Sequence, residues 1–279
     1  MLFWVYLRGH ALRWRISIPA ACVAALLGTA TLAWQQPRFR FFPFQDEEQL
    51  PLPADANERT EFVFARLKFP SVRSGGYWGF RGSWTTDYPK ADRQFLQGVR
   101  RLTRIHARSV EHVVDLDGDD IFNYPWVYAV EVGHWNLSDT QAAKLREYLL
   151  RGGFLMVDDF HGSWEWDIFQ SSLNKVFPDR PVMAISNKDA VFHVLYDLDE
   201  RFQVPGIVMF STGLTYEQDG VEAQWRGVYD DRGRLMVAIC HNMDLGDAWE
   251  WADWPRYPER YASLAYRVGI NYIIYAMTH

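Results

Sequence analysis

The stretch RGGFLMVDDFHGSWEW, residues 151–166, changes from apolar to acidic character within a few positions. After a glycine pair come the apolar residues Phe154–Val157, and Asp158 and Asp159 follow at once. Four apolar residues in a row predict a strand that is buried on both faces, as in a parallel sheet. In open α/β sheets the ligand crevice lies beyond the carboxyl ends of such strands. We therefore expect Asp158, Asp159 and the nearby His161 to belong to a functional site.

The segments on either side alternate between strand-like and helix-like patterns. Strands are predicted at 61–69, 113–114, 126–132, 154–157 and 181–185, and helices at 91–104, 139–151, 164–177 and 259–276. A C-terminal hairpin is predicted at 225–240, with its turn at Asp230–Gly233. Ser138 and Gln141 form a capping box that marks the start of one helix. This alternation predicts an α/β fold with a mostly parallel sheet between helices.

The first 34 residues are predicted to be separate from the folded domain. Three arginines precede an apolar run from Ile16 to Trp34, and no acidic residue occurs before Asp46. A basic flank with such a run predicts a transmembrane signal anchor or a cleaved signal peptide, and both remain open. Residues 35–60 are then a linker and residues 61–279 the domain. We expect the domain at the cell inner membrane facing the periplasm, or secreted to the periplasm if the signal is cleaved.

Charge and cysteine content exclude several classes of function. Beyond residue 34 the chain has 26 Lys and Arg against 35 Asp and Glu, a formal charge of 26 − 35 = −9. Nucleic-acid binding requires a basic face, so it is not expected. Two cysteines, Cys22 and Cys240, permit neither a disulfide framework nor a cysteine metal site. Cys240 is a weak nucleophile candidate, because the adjacent His241 should point to the opposite face of the strand.

Further candidate ligand-binding residues are expected at the same edge of the sheet. They follow a predicted strand or begin the next helix: Glu131, His134, Glu165, His241, Asn242, Asp244, Asp87 and Trp249. Each has a structural alternative. The carboxylates could cap helices or belong to solvated loops, and His134 could be a buried hydrogen-bonding residue. Trp249 could pack on the core instead of stacking on a sugar.

The residue types at this edge suggest chemistry without naming a reaction. Asp158, Asp159 and His161 are candidates for acid–base catalysis, and Asp159, His161 and His241 for a divalent metal site. We expect a small polar ligand such as a glycan. If the protein is an enzyme, metal-assisted hydrolysis is the expected reaction class. The alternatives are a non-catalytic interaction module of a cell-envelope complex and a pseudoenzyme that only senses its ligand.

Several long segments resemble one bacterial family. They are FARLKFPS (64–71), TDYPKADRQFL (86–96), EVGHWNLSD (131–139), LREYLLRGGFLMVDDFHG (145–162), RGVYDDRGRLMVAICHNMDLGDAWEWAD (226–253) and YRVGINYIIYAMTH (266–279). Together they resemble the family called domain of unknown function (DUF) 4159, over about residues 61–279. That resemblance implies a flavodoxin-like three-layer sandwich, similar to class I glutamine-amidotransferase-like and ThuA-like proteins, and assigns no activity.

The resemblance also bears on chemistry and partners. Working amidotransferases place a nucleophilic cysteine in a tight turn after a central strand. Here the corresponding strand end carries Asp158, Asp159, Phe160 and His161, so glutaminase activity is not expected. Family members are similar to proteins encoded beside MoxR-type ATPases and von Willebrand-type membrane proteins, which implies a protein partner in the cell envelope.

Overall fold

Seven strands form one sheet in the computed structural model, which describes residues 52–71 and 83–279. They are β1 (Ala65–Lys68), β2 (His112–Asp115), β3 (Trp126–Val130), β4 (Phe154–Asp158), β5 (Met183–Ala184), β6 (Gln224–Tyr229) and β7 (Leu235–His241). Their order across the sheet is β2-β1-β3-β4-β7-β6-β5. Strands β1 to β4 and β7 are parallel, whereas β6 and β5 add an antiparallel edge. The carboxyl ends of β3, β4 and β7 therefore meet at one edge.

Helices cover both faces of this sheet. Within the described residues the α-helices are α1 (Lys90–Leu102), α2 (Asp139–Leu150), α3 (Gly162–Val176), α4 (Met209–Thr212), α5 (Leu245–Glu250) and α6 (Glu259–Thr278). Buried side chains of α1, α5 and α6 pack on one face, and those of α2 and α3 pack on the other. The prediction of an α/β fold with a mostly parallel sheet is confirmed. All of these residues belong to one compact unit, Glu48–His279.

Local sequence signals placed most elements well. Ser138 caps α2, since its Oγ accepts from the Gln141 amide at 3.2 Å and the Gln141 side chain accepts from the Ser138 amide at 3.1 Å. The C-terminal hairpin is confirmed as the antiparallel pair of β6 and β7. Three strands were predicted too long, because the first keeps only Ala65–Lys68, the third only Trp126–Val130 and the fifth only Met183–Ala184.

The predicted anchor or signal at residues 1–34 lies outside the described residues, as does the linker up to residue 51. In the parts of the chain that are described, no helix has the length and the apolar character needed to cross a bilayer.

Strand β1 carries a buried ion pair into the core. Its residues alternate between the two faces, and Arg66 points to the face covered by α1. The Arg66 guanidinium, fully buried, binds both carboxylate oxygens of Asp92, with a distance of 2.8 Å from Nε to Oδ2. Arg66 also donates from Nη1 to the carbonyls of Trp84 at 3.1 Å and Thr86 at 3.0 Å. One buried guanidinium thus fixes α1 and the loop before it to the sheet.

Removing one partner of this pair should be costly. We expect Asp92→Ala to lower the free energy of unfolding by about 3–5 kcal/mol, because it leaves an uncompensated buried charge. Urea denaturation measures this value. The matched control is Glu147→Ala, which removes an exposed pair with Arg151 and should cost less than about 1 kcal/mol. Equal effects of the two substitutions would contradict the structural role of Arg66 and Asp92.

Candidate functional site

Backbone strain is concentrated at the carboxyl edge of the sheet. In residues 52–71 and 83–279, five non-glycine residues have left-handed φ angles: Asp87 (60°), Glu131 (56°), Asp159 (53°), Gln218 (52°) and Asn242 (64°). Three of them, Glu131, Asp159 and Asn242, directly follow a strand. Asp87 lies in the loop before α1, and Gln218 donates a hydrogen bond to Glu165 at the same edge. Such conformations cost of the order of 1–3 kcal/mol each and cluster at functional sites. The strained residues therefore lie at the carboxyl edge of the sheet, where the sequence predicts a functional site.

Asp158, the last residue of β4, is completely buried and acts mainly as a structural anchor. Its Oδ2 accepts hydrogen bonds from Tyr128 Oη at 3.0 Å and from the amides of Leu245 at 2.8 Å and Gly246 at 3.0 Å. These bonds hold the start of α5 against the sheet. Burial raises the pKa of Asp158 to about 7, although the hydrogen bonds oppose that shift. Asp158 is thus an aspartate at a strand end that binds loop amides, which is the structural alternative to a catalytic role.

Asp159 is the centre of a three-carboxylate group. Ligating oxygens of Asp87, Asp159 and Asp244 lie within 4.8 Å of one another, although the three residues come from distant segments. Burial raises the pKa of Asp159 well above its usual value, and the neighbouring charges of Glu131 and Asp87 raise it further. We call Asp87, Asp159 and Asp244 the carboxylate triad.

The other two members of the carboxylate triad, Asp244 and Asp87, also have raised pKa values. Burial raises the pKa of Asp244, and Asp159 and Asp247 add to the shift. Asp244 uses Oδ1 to cap α5, accepting from the Asp247 amide at 2.7 Å. Burial also raises the pKa of Asp87, whose Oδ2 is buried and has no hydrogen-bond partner among the described residues. An unpartnered buried oxygen beside two other carboxylates is the arrangement expected of an oxygen-ligand cation site.

Gly246 lets the backbone of α5 approach this group. A Cβ atom at position 246 would lie 2.7 Å from Asp87 Oδ2 and 2.9 Å from Tyr128 Oη. Both distances are shorter than carbon–oxygen contacts normally allow.

A second acidic group shares Asp87 with the carboxylate triad, because Asp87, Asp247 and Glu250 also bring ligating oxygens within 4.8 Å. In that group Asp247 has bonded oxygens, since Oδ2 accepts from the Ile207 amide and Oδ1 accepts from Trp251 Nε1 at 3.0 Å.

Glu131, His134 and Glu165 form a separate group after β3. Their ligating atoms also lie within 4.8 Å of one another. His134 Nδ1 is 3.3 Å from Glu131 Oε2, but the geometry is too poor for a hydrogen bond. Burial lowers the pKa of His134, yet Glu131 and Glu165 outweigh burial and raise it overall. Burial raises the pKa of Glu165 to about 7, which suits proton transfer near neutral pH.

The described residues do not bring the predicted metal ligands Asp159, His161 and His241 together as one group. Asp159 Oδ1 and His161 Nε2 are 3.2 Å apart, but these two residues and His241 do not form a group with ligating atoms within 4.8 Å in the described chain. His241 is held instead between the rings of Phe160 and Trp166, with Nε2 3.1 Å from the Gly162 carbonyl. Burial lowers the pKa of His161 to about 3 and that of His241 to about 4, so both rings are neutral at pH 7. Asp159 joins the other carboxylates because α5 folds back over β4.

Asn242 and Trp249 have structural contacts that occupy them. Asn242 Oδ1 accepts from the Gly162 amide at 2.9 Å, and its Nδ2 donates to the Glu222 carbonyl at 2.8 Å. Trp249 is fully buried, with its ring centroid 4.4 Å from that of Phe95. Helix α5 turns the side chain of Trp249, which was predicted as a ligand-binding residue, into the core.

One protein family matches most of the chain. A family described as "Domain of unknown function (DUF4159)" matches residues 64–277. The chain belongs to the DUF4159 family. Every residue of the carboxylate triad and of the Glu131 group falls inside the matched range. Among curated proteins no match was found.

Sequence reasoning missed two contributors to this edge of the DUF4159 domain. Gln218, which donates to Glu165 from a left-handed conformation, lies in a segment with no pattern that predicts contact with α3. Arg66 did leave a signal, because it has the same strand parity as the buried Phe62 and Phe64. A charged residue on an inward face predicts a buried partner.

The raised pKa of Asp158 predicts a pH dependence of stability. In the unfolded chain the carboxyl loses its proton near pH 4, whereas in the folded domain it does so near pH 7. The folded state therefore binds more protons between these values, and this group destabilises the domain as pH rises through them. We expect the free energy of unfolding of Asp158→Asn, relative to the wild type, to increase between pH 4.5 and 7.5 by roughly 3 kcal/mol.

Urea denaturation at several pH values measures that difference. The substitution also weakens the hydrogen bonds from the Leu245 and Gly246 amides, which changes the free energy of unfolding of the variant. The diagnostic quantity is therefore how the difference in unfolding free energy between variant and wild type changes with pH. A pH-independent difference between variant and wild type would show that Asp158 ionises normally in the folded domain.

Proposed function

We propose that this DUF4159 domain binds a divalent cation through the carboxylate triad and uses it to hold a small polar ligand. The observation that carries the proposal is the convergence of Asp87, Asp159 and Asp244 within 4.8 Å from three separate segments. Such convergence is not needed for the fold, because like charges in close contact oppose folding. A divalent cation would offset their repulsion. Carboxylate oxygens suit Mg²⁺, Ca²⁺ or Mn²⁺ better than softer metals.

The neighbouring Glu131 group supports a hydrolytic reaction at the same place. The charge of Glu131 raises the pKa of both Asp159 and Glu165, so the two groups adjoin. A cation in the carboxylate triad would lower the pKa of a bound water. Glu165, with a pKa of about 7, would accept the proton from that water as it attacks the ligand. Glu131 and Glu165, which raise the pKa of His134, would favour its charged form beside them.

A cysteine nucleophile has no support at this edge. Cys240 is fully buried in β7, and burial raises the pKa of its thiol well above the usual value. The reactive form of cysteine is the thiolate, which this environment disfavours. The proposed fold family remains flavodoxin-like and similar to class I glutamine amidotransferases. The proposed chemistry is not glutaminase chemistry.

The proposed setting is the periplasmic side of the inner membrane. Support comes from the apolar run Ile16–Trp34, which three arginines precede. A cation-dependent site facing the periplasm would meet cell-wall glycans, the class of polar ligand that we favour.

Cation binding can be tested by thermal unfolding of the full chain, purified in detergent and stripped with EDTA. Mg²⁺, Ca²⁺ and Mn²⁺ are then added one at a time. At about 100 times the dissociation constant, the bound cation should stabilise the fold by about 2.7 kcal/mol. For a domain of this size that corresponds to a rise in Tm of roughly 5–10 °C. Without cation, Asp159→Asn should melt higher than the wild type, and with cation it should gain nothing.

The matched control is Asp115→Asn, at the carboxyl end of β2 in the same sheet. Asp115 pairs with Lys68 at 3.2 Å and lies outside the carboxylate triad. This variant should respond to the cation as the wild type does. A wild type that no divalent cation stabilises, or an Asp159→Asn variant that retains the full rise in Tm, would refute the proposal.

A groove at the opposite edge of the sheet favours the second candidate function, an interaction module. Its apolar lining includes Leu102, Leu195 and Met277, which are 53%, 49% and 37% exposed. Exposed apolar patches mark protein contacts more often than isolated apolar side chains do. If a cell-envelope protein binds here, Leu102→Asp should abolish its co-purification and leave cation-dependent melting unchanged. Retention of the partner by this variant would exclude the groove as its binding site.

A further inference from the structure

A second cavity, of about 280 Å³, lies between the start of α3 and the antiparallel strands. None of the carboxylate triad lines it. The residues that matter for its chemistry are Ser163, Trp166, Asp219, Gln224, Arg226 and His241. They include one cation, one anion, an aromatic face and uncharged polar groups. The cavity is therefore chemically distinct from the all-carboxylate site described above.

The sheet register places these groups together. Gln224 pairs with His241 across β6 and β7, and Arg226 pairs with Ile239. Residues that are paired across strands, and residues two apart on one strand, share a face of the sheet. Helix α3 covers this face and brings Trp166 against Arg226. The composition of the cavity thus follows from strand pairing and from the position of α3.

Arg226 is a half-buried cation without an acidic partner. Its guanidinium carbon lies 4.3 Å from the centroid of the Trp166 ring, and its Nη2 donates to Gln224 Oε1 at 3.3 Å. No ion pair in the described chain includes it, in contrast to Arg66 or Arg180. Burial without a counter-charge lowers the pKa of Arg226. An anionic group of a ligand would supply the missing partner, and guanidinium geometry favours a carboxylate.

Asp219 limits which anions can enter. Its carboxylate accepts from the Ser163 amide at 2.8 Å and from Ser163 Oγ at 2.7 Å, at the beginning of α3. A multiply charged anion would be repelled by this carboxylate. A small zwitterion, which carries both a carboxylate and an ammonium group, would match both Arg226 and Asp219.

His241 provides an independent sign of a missing partner. The residue is 5% exposed, lines the cavity, and has an Nδ1 atom with no hydrogen-bond partner among the described residues. Buried imidazole nitrogens normally have a partner from protein, water or ligand.

We propose that this cavity binds a free α-amino acid, with its carboxylate on Arg226 and its ammonium group facing Asp219. A cavity of about 280 Å³ has the size for one such molecule. The inference goes beyond the cation site and does not depend on it, because the two sites share no proposed ligand-binding side chain. Amino-acid binding would make the domain responsive to a second class of small molecule.

The test is thermal unfolding of the full chain in EDTA, which silences the cation site. The probes are L-serine, L-glutamate, L-lysine and L-phenylalanine. Each is compared with its N-acetyl derivative and its decarboxylated amine, and inorganic phosphate is included. We expect at least one amino acid to raise the Tm, and we expect both of its analogues and phosphate to fail. This comparison uses the wild type alone and stands even if a variant folds poorly.

Two variants localise the effect. Arg226→Gln should abolish the shift, whereas the control Arg180→Gln, which removes an arginine paired with Asp231 beside the same hairpin, should keep it. Asp219→Asn should reduce the preference for the amino acid over its N-acetyl derivative. The inference is overturned if no amino acid shifts the Tm, if phosphate or the N-acetyl derivative acts equally well, or if the shift survives Arg226→Gln.

Discussion

Repulsion among buried carboxylates is the constraint on which this edge of the molecule depends. Asp87, Asp159 and Asp244 come within 4.8 Å of one another in a region with little solvent, where like charges interact strongly. Burial and the charges of neighbouring carboxylates raise the pKa values of all three. Protonation can relieve the repulsion, and so can a cation. The proposed function follows from the second route, because it turns an unfavourable arrangement into a binding site.

The rest of the fold holds these carboxylates in place against their repulsion. Arg66 binds Asp92 and the carbonyls of Trp84 and Thr86, and so fixes the loop that presents Asp87. Asp158 binds the first amides of α5 and thereby fixes Asp244, which caps the same helix. Each support is a buried ionisable group that makes hydrogen bonds to the backbone and to one side chain. Such groups are costly to leave unpaired, which explains why the strained positions persist.

Much of the architecture could be predicted from sequence because its signals are local. The glycine pair before β4, the capping box at Ser138 and the hairpin turn each determine an element within a few residues. The edge of the sheet at which Asp159 lies also follows from strand direction. The residues that Asp159 contacts, however, do not follow from strand direction. Asp159 meets Asp87 and Asp244 because the loop before α1 and helix α5 fold over β4, and those are long-range contacts. For the same reason His241, the last residue of β7, packs between Phe160 and Trp166 on the other side.

The most direct measurement is an anomalous difference map from a crystal of the full chain grown with Mn²⁺. The account predicts one strong peak about 2.0–2.6 Å from carboxylate oxygens of Asp87, Asp159 and Asp244, as expected for an oxygen-ligated divalent cation. A peak at Glu131, His134 and Glu165 instead would place the cation in the neighbouring group. No peak at either group, in crystals that diffract well at the manganese edge, would contradict a cation site at this edge of the sheet.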